Sequence, residues 1–175
     1  MKNYWRLLKN SKRGKLRENI RVVVMDVDGT LTDGSINIGQ NGELFKRFYC
    51  RDGLAIIAAE KKGIIPIVLT SRVSEIVKRR AEELKIDHVY QGFVDDKRVQ
   101  LERILDELHL EWQNVAYIGD DRNDLECMKK CGIVGCPSDS ERNVKRQADY
   151  ICMCKGGQGA VREFIDWLLE GKKGS

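Results

Sequence analysis

The sequence has no long apolar segment and no recognisable export signal. No run approaches the roughly 20 apolar residues that a membrane-spanning helix needs, and the N-terminus lacks the apolar core of a signal peptide. Of the 175 residues, 42% are hydrophobic and 33% are charged, which is typical of one globular domain with its own core. We therefore expect a cytoplasmic protein without a membrane-spanning segment.

The sequence also lacks the paired CxxC motifs of structural zinc sites. It contains six cysteines and two histidines, and neither His88 nor His109 has a cysteine beside it. Cys127 and Cys131 are four residues apart in a predicted helix, and residues 152–154 alternate between the two faces of a predicted strand. We expect buried, reduced thiols.

Positive charge is concentrated at the N-terminus. Residues 1–20 contain seven basic residues and one acidic residue, a local net charge of +6, against −2 for the rest of the chain. Such an arm can bind nucleic acid or an anionic surface, but a frayed, solvated terminus is more common. We predict a flexible basic arm over 1–20, one folded domain over 21–170 and a tail over 171–175. Because the remainder is nearly neutral, we expect neither a nucleic-acid nor a membrane partner.

Strand-like and helix-like segments alternate along most of the chain. Val22–Met25 is an apolar, β-branched run, which favours a strand buried on both faces of a parallel sheet. The other predicted strands span 64–69, 88–91, 114–118, 133–136 and 150–153, and the predicted helices span 54–62, 74–85, 97–109, 123–131, 139–147 and 160–169. This alternation predicts an α/β fold with a doubly wound parallel sheet.

A projecting β-hairpin is predicted between the first strand and the first helix. Ile36 and Ile38 alternate with polar residues, Asn41-Gly42 is a strong two-residue turn, and residues 44–49 form the returning strand. The exposed apolar and aromatic groups of the hairpin favour packing against another subunit. Folding back onto its own domain is an equally good interpretation.

Polar side chains follow several predicted strands. They are Asp26 and Asp28 after the first strand, Thr70 after the second, Lys97 at a helix start, and Asp120, Asp121 and Asp124 after a later strand. Taken alone, Asp-Val-Asp-Gly also fits an ordinary turn, but the carboxyl ends of parallel strands border one crevice. Clustered carboxylates repel one another unless a hard cation such as Mg²⁺ lies among them, and lysine and hydroxyl groups suit phosphate oxygens. This set of residues indicates phosphoryl transfer.

The same residues resemble the four motifs of the haloacid dehalogenase superfamily. The motifs are DVDGT at 26–30, Thr70, Lys97 and GDDRND at 119–124, in that order over most of the chain. The gaps between the first three motifs are about 40 and about 25 residues, which leaves no room for an inserted cap domain. The chain therefore resembles the capless subclass. That resemblance implies a homotetramer in which the hairpins form a central barrel.

The resemblance implies a role for each motif residue. Asp26 is expected to be the nucleophile that forms an aspartyl-phosphate, and Asp28 the general acid and base. Mg²⁺ is expected to bind Asp26, the backbone carbonyl of Asp28, and Asp120. Thr70 and Lys97 are expected to hold the phosphoryl group. The supporting residues are expected to be Asp121 and Asp124.

Further stretches resemble the sugar-acid phosphatases of that subclass, namely FYCRDG, LTSR, RRAEEL, VYQG and GGQGAVREF. This resemblance implies an 8-phosphorylated eight-carbon keto-acid sugar of lipopolysaccharide biosynthesis as the substrate, with Arg72 and Arg51 as its contacts. For Arg51, a surface ion pair is the alternative. A nine-carbon, sialic-acid-like phosphate is the second hypothesis, which Arg72 disfavours. A non-catalytic oligomerisation module is the third, which the intact catalytic motifs disfavour.

Overall fold

The structure is a computed structural model that describes residues 16–93 and 96–170. Its strands are β1 (Val22–Met25), β2 (Asn37–Gly39), β3 (Gly42–Phe45), β4 (Ile65–Thr70), β5 (His88–Gln91), β6 (Val115–Ile118), β7 (Ile133–Cys136) and β8 (Tyr150–Ile151). Six of them form a parallel sheet in the order β5-β4-β1-β6-β7-β8, with β1 in the interior. The predicted doubly wound sheet is confirmed.

Helices cover both faces of this sheet. They are α1 (Cys50–Lys61), α2 (Glu75–Glu83), α3 (Lys97–Glu107), α4 (Leu125–Met128), α5 (Arg142–Gln147) and α6 (Ala160–Glu170). Val23 and Met25 of β1 belong to the core formed with α1, α2 and α6, whereas Val22 and Val24 belong to the core formed with α3, α4 and α5. None of the helices in the described part of the chain has the length and apolar character needed to cross a membrane.

The register of the sheet brings the site-bearing strand ends together. Met25 pairs with Val68 of β4 and with Ile118 of β6. Asp26, Thr70 and the residues after β6 therefore lie at one edge of the sheet, as expected from parallel strands.

The predicted hairpin is present as β2 and β3, but its second strand is shorter than predicted. It ends at Phe45, which pairs with Asn37 at the start of β2, and the side chain of the next residue, Lys46, forms an ion pair with Asp28. Ile38, Leu44 and Phe45 are 68%, 62% and 53% exposed, so the hairpin presents an apolar surface to solvent in this single chain.

Several predicted element bounds are wrong for local reasons. Helix α1 begins at Cys50 instead of residue 54, because Gly53 is accommodated inside the helix, where a Cβ would lie 2.6 Å from Nη2 of Arg80. Strand β8 ends at Ile151: the N–H of Cys152 still donates to the carbonyl of Cys136 in β7, but the N–H groups of Met153 and Cys154 donate to the Glu163 carboxylate instead. The predicted helix 123–131 is instead a 3₁₀ turn, Arg122–Asp124, followed by the short α4.

Most of the predicted basic arm, residues 1–15, lies outside the described residues, as does the predicted tail. Ile20 is fully buried, and Arg17 donates a 2.8 Å hydrogen bond from Nη1 to the carbonyl of Trp167 in α6. Arg17 and Ile20 therefore pack on the rest of the domain, although they fall within the predicted flexible arm, whereas Leu16, Glu18 and Asn19 are exposed.

The six cysteines are all free. Cys127, Cys136 and Cys152 are buried, as expected for thiols in a reduced core, whereas Cys50 is exposed. Burial raises the pKa of the Cys136 thiol to about 11, so this thiol is kept in its neutral form.

Candidate active site

Asp26 lies in a buried ionic cluster at the carboxyl edge of the sheet. Its Oδ1 accepts a 2.6 Å hydrogen bond from Nζ of Lys97, and the same Nζ donates to Oδ1 of Asp124 at 2.8 Å. All three side chains are buried. They come from the end of β1, the first residue of α3 and the turn after β6, so the fold joins three distant segments at this point.

Asp124 is held by donors on both carboxylate oxygens. Besides Lys97, Oδ1 accepts a 2.7 Å hydrogen bond from the Tyr117 hydroxyl, and Oδ2 accepts from the backbone N–H groups of Asp120 and Asp121 at 3.0 and 3.3 Å. Because both oxygens are engaged, Asp124 is suited to orienting its neighbours. The role of Tyr117 was not predicted, since a tyrosine in a buried strand has the pattern of a core aromatic residue.

Asp120 is positioned by the loop that follows β1. The hydroxyl of Thr30 donates a 2.9 Å hydrogen bond to Oδ1 of Asp120. Gly29 has a φ of +95°, and a Cβ at this position would lie 2.1 Å from Oδ2 of Asp120. Glycine is therefore required for both the backbone conformation and the close approach of the carboxylate.

The carboxylate cluster fits a hard divalent cation. Oxygens of Asp26, Asp120 and Asp124 lie within 4.8 Å of one another. Burial, followed by repulsion from Asp124, raises the pKa of Asp26 above its ordinary value and that of Asp120 to about 7. A cation among these oxygens offsets that repulsion. Since both Asp124 oxygens are engaged, Asp26 and Asp120 are the carboxylates best placed to bind it.

Lys97 is kept protonated in this cluster. Burial by itself lowers the pKa of a lysine, but the carboxylates of Asp26 and Asp124 outweigh burial here and raise the pKa of Lys97 above its ordinary value. A buried lysine that stays charged can stabilise negative charge on a phosphoryl group.

A cleft opens beside this cluster and contains most of the other predicted residues. Its lining consists of Asp26, Asp28, Thr70, Ser71, Arg72, Asp121 and Asn123. Thr70 is buried at the end of β4, and Nε of Arg72 lies 3.8 Å from Oδ2 of Asp28. Arg51 is exposed in the first turn of α1 and is not among the lining residues. The fold thus brings together every predicted site residue except Arg51.

One further residue, Lys46, contacts the site from the end of the hairpin, and the sequence analysis does not predict it. Lys46 forms an ion pair with Asp28 and a second, 3.1 Å ion pair with Glu43 of β3. The sequence offers no local signal for this contact, because it depends on the direction in which the chain leaves the hairpin.

The glycine-rich segment 156–159 packs against the loop that follows β1. The N–H of Gly157 donates to the carbonyl of Thr30 at 3.1 Å, and a Cβ at Gly156 would lie 1.9 Å from the carbonyl oxygen of Gly29. This segment therefore supports the site loop of its own chain.

The fold and the site together define a haloacid dehalogenase-like hydrolase. An aspartate pair follows β1, an interior strand of the doubly wound sheet, and Lys97 lies between two buried carboxylates. Residues 94–165 match the family model for haloacid dehalogenase-like hydrolases. The chain is also 41% identical over 152 residues to 3-deoxy-D-manno-octulosonate 8-phosphate phosphatase KdsC of Escherichia coli (strain K12), covering 87% of this chain and 80% of that protein. The chain belongs to the family of 3-deoxy-D-manno-octulosonate 8-phosphate phosphatases.

Solved structures support the same family. The 3-deoxy-D-manno-octulosonate 8-phosphate phosphatase of Yersinia pestis has a TM-score of 0.88 and 36% identity, covering 92% of this chain and 86% of that chain. The enzyme of the same name from Moraxella catarrhalis has a TM-score of 0.87 and 38% identity, covering 91% of each chain. Its structure is a complex with a magnesium ion, a phosphate ion and a KDO molecule.

Proposed function

We propose that this protein is a Mg²⁺-dependent phosphatase that hydrolyses 3-deoxy-D-manno-octulosonate 8-phosphate to the free sugar acid and phosphate. The observation that carries the proposal is the buried Asp26–Lys97–Asp124 cluster beside a cleft that also contains Asp28 and Arg72. The family membership and the ligands of the Moraxella catarrhalis relative support the same substrate.

In the first half of the reaction, a carboxylate oxygen of Asp26 attacks phosphorus and the bond from phosphorus to the sugar oxygen breaks. Asp28 gives its proton to the departing oxygen, so the sugar leaves as an alcohol. Lys97 and Thr70 hold the oxygens of the transferring group, where the transition state spreads negative charge. The product of this half is an aspartyl-phosphate on Asp26.

In the second half, water attacks the phosphorus of the aspartyl-phosphate. Asp28, now a carboxylate, takes a proton from that water, and the bond from phosphorus to Asp26 breaks. Phosphate is released and both carboxyl groups return to their starting states.

Asp26, the backbone carbonyl of Asp28, and Asp120 are the groups proposed to hold Mg²⁺. When bound, the ion neutralises charge between the anionic nucleophile and the phosphate. Asp124 orients Lys97, since it is hydrogen-bonded on both oxygens, and Asp121 supports the turn by accepting a 2.8 Å hydrogen bond from the N–H of Arg122.

Arg72 is the proposed contact for the substrate carboxylate. Its side chain is 48% exposed at the cleft and is therefore available to a ligand. A guanidinium binds a carboxylate through two parallel hydrogen bonds. Arg51 is proposed as a second contact, made across a subunit boundary near the foot of the hairpin.

The proposed assembly is a homotetramer in the cytoplasm. The exposed apolar side chains of the hairpin, Ile38, Leu44 and Phe45, support an interface there. Six free cysteines support a reducing compartment.

The substrate is tested by measuring phosphate release from the eight-carbon and nine-carbon sugar-acid phosphates, with Mg²⁺ or with a chelator. We expect Mg²⁺-dependent turnover that favours the eight-carbon substrate and is lost in Asp26→Asn. Asp87→Asn is the matched control, since Asp87 is exposed and precedes β5 at the opposite edge of the sheet. A nine-carbon preference would instead support the sialic-acid-like alternative, and absence of turnover with either would support a non-catalytic module.

A further inference from the structure

Lys46 is a buried lysine at the end of a hairpin whose apolar side chains are exposed. It directly follows β3, yet its side chain is only 2% exposed. Its Nζ forms ion pairs with Oδ1 of Asp28 and with Oε1 of Glu43. A buried ammonium group is tolerated because two carboxylates satisfy it.

Glu43 is itself fixed by the main domain. Its Oε2 accepts a hydrogen bond from the hydroxyl of Ser74, and Ser74 caps α2 by accepting from the N–H of Val77 at 3.3 Å. Partial burial of Glu43 opposes ionisation, but the hydrogen bonds from Ser74 and Lys46 lower its pKa below the ordinary value. Lys46 is therefore held between two carboxylates, one of which is anchored to the start of a helix.

This arrangement distinguishes the two oxygens of Asp28. Oδ1 is bound by Lys46, whereas Oδ2 lies on the side of Arg72, whose Nε is 3.8 Å away and which lines the cleft with Asp28. We propose that Lys46 is a positioning residue that fixes the Asp28 carboxyl so that Oδ2 exchanges the proton with the reacting oxygen, with Glu43 orienting Lys46. The inference rests on the proposed function, in which Asp28 is the acid and base.

The test uses phenyl, 4-chlorophenyl and 4-nitrophenyl phosphates with the full-length protein and Mg²⁺. These substrates carry no sugar acid, so recognition of the sugar does not enter. The ratio kcat/KM covers the steps up to departure of the phenol. Nitrophenolate leaves without a proton, whereas phenolate needs one. We expect Lys46→Met to lower kcat/KM about 10- to 100-fold for phenyl phosphate and less than about 3-fold for 4-nitrophenyl phosphate.

Three further variants separate positioning from a general structural role. Asp28→Asn should show the same dependence on the leaving group, and adding Lys46→Met to it should change kcat/KM less than about twofold, because the two residues act through one proton transfer. Glu43→Gln should give a smaller loss in the same direction. Lys129→Met is the control, since it breaks an exposed ion pair with Glu126 and should change none of these values.

In variants that unfold at the wild-type temperature, equal losses with all three aryl phosphates, additive losses in the double variant, or no loss would each overturn the positioning role. Thermal unfolding of each variant shows whether a uniform loss reflects misfolding. If Lys46→Met is misfolded, the dependence of Glu43→Gln on the leaving group decides whether the positioning role holds. If the wild-type protein hydrolyses neither the sugar-acid phosphates nor the aryl phosphates, the proposed function itself fails. If the wild type is active and only the leaving-group dependence is absent, the positioning role alone fails.

Discussion

Thr30 and Asp120 are joined by a 2.9 Å hydrogen bond across 90 positions of sequence. The hydroxyl of Thr30 thereby fixes the orientation of a carboxylate proposed to bind Mg²⁺. Groups that orient metal ligands typically contribute 10- to 100-fold to metal affinity. We therefore expect Thr30→Val to raise the Mg²⁺ concentration needed for half-maximal phosphate release by about 10-fold or more, as measured in a magnesium titration of the rate.

Thr32→Val is the matched control for this prediction. Thr32 is also buried, but its hydroxyl donates to the carbonyl of Val27 instead of to a carboxylate. An equal change in the magnesium dependence of both variants would contradict the role assigned to Thr30.

Asp120 is expected to destabilise the metal-free protein at high pH. Burial and Asp124 raise its folded-state pKa to about 7, whereas an unfolded aspartate has a pKa near 4. The folded state therefore binds the Asp120 proton more tightly than the unfolded state does. The resulting destabilisation is absent below about pH 4, grows between about pH 4 and 7, and reaches its full size above about pH 7. Asp120→Asn should stabilise the metal-free protein by roughly 1–3 kcal/mol at pH 8 and hardly at all at pH 4.

Urea unfolding of both proteins in a chelator, at these two pH values, measures the difference. The amide of asparagine keeps an oxygen that can accept the Thr30 hydrogen bond, so the substitution removes mainly the charge. If Asp120→Asn is less stable than the wild type at pH 8, the ionised Asp120 carboxylate does not destabilise the folded protein.

Tyr117→Phe removes the hydroxyl that donates to the buried Asp124 carboxylate at 2.7 Å. A hydrogen bond to a charged group is worth about 1.5–3 kcal/mol, so the variant should lose roughly that much stability in urea. Tyr90→Phe is the control, because the Tyr90 hydroxyl has only a 3.4 Å contact with the His88 ring and is partly exposed. Equal effects of the two substitutions would argue against a special role for Tyr117.

The hairpin surface makes a prediction about assembly. Leu44 and Phe45 are 62% and 53% exposed in the single chain, and burying them between subunits stabilises the complex. Replacing both with serine should shift the protein from a tetramer to smaller species in sedimentation velocity. Ile151→Ser is the control, since Ile151 is exposed on β8, away from the hairpin. A wild-type monomer, or an unchanged assembly in the double variant, would contradict the proposed interface.

The sequence predicts the strands and the site residues at their ends well. β1, β5 and β7 match the predicted bounds, and Asp26, Thr70 and Asp120 meet because the carboxyl ends of parallel strands share one edge. What it does not predict depends on long-range contacts. The roles of Tyr117 and Lys46 follow from hydrogen bonds and ion pairs that only the folded chain forms.

The most direct test of the account is to trap the phosphoryl group on Asp26. Asp28→Asn lacks the base that activates water for the second half of the reaction. Mixed with 4-nitrophenyl phosphate and Mg²⁺, this variant should release one equivalent of nitrophenol rapidly and gain one phosphoryl group in the intact-protein mass, removable by hydroxylamine. The double variant Asp26→Asn with Asp28→Asn should gain none. A phosphoryl group retained by the double variant, or turnover of Asp28→Asn with neither a burst nor a phosphorylated protein, would contradict Asp26 as the nucleophile.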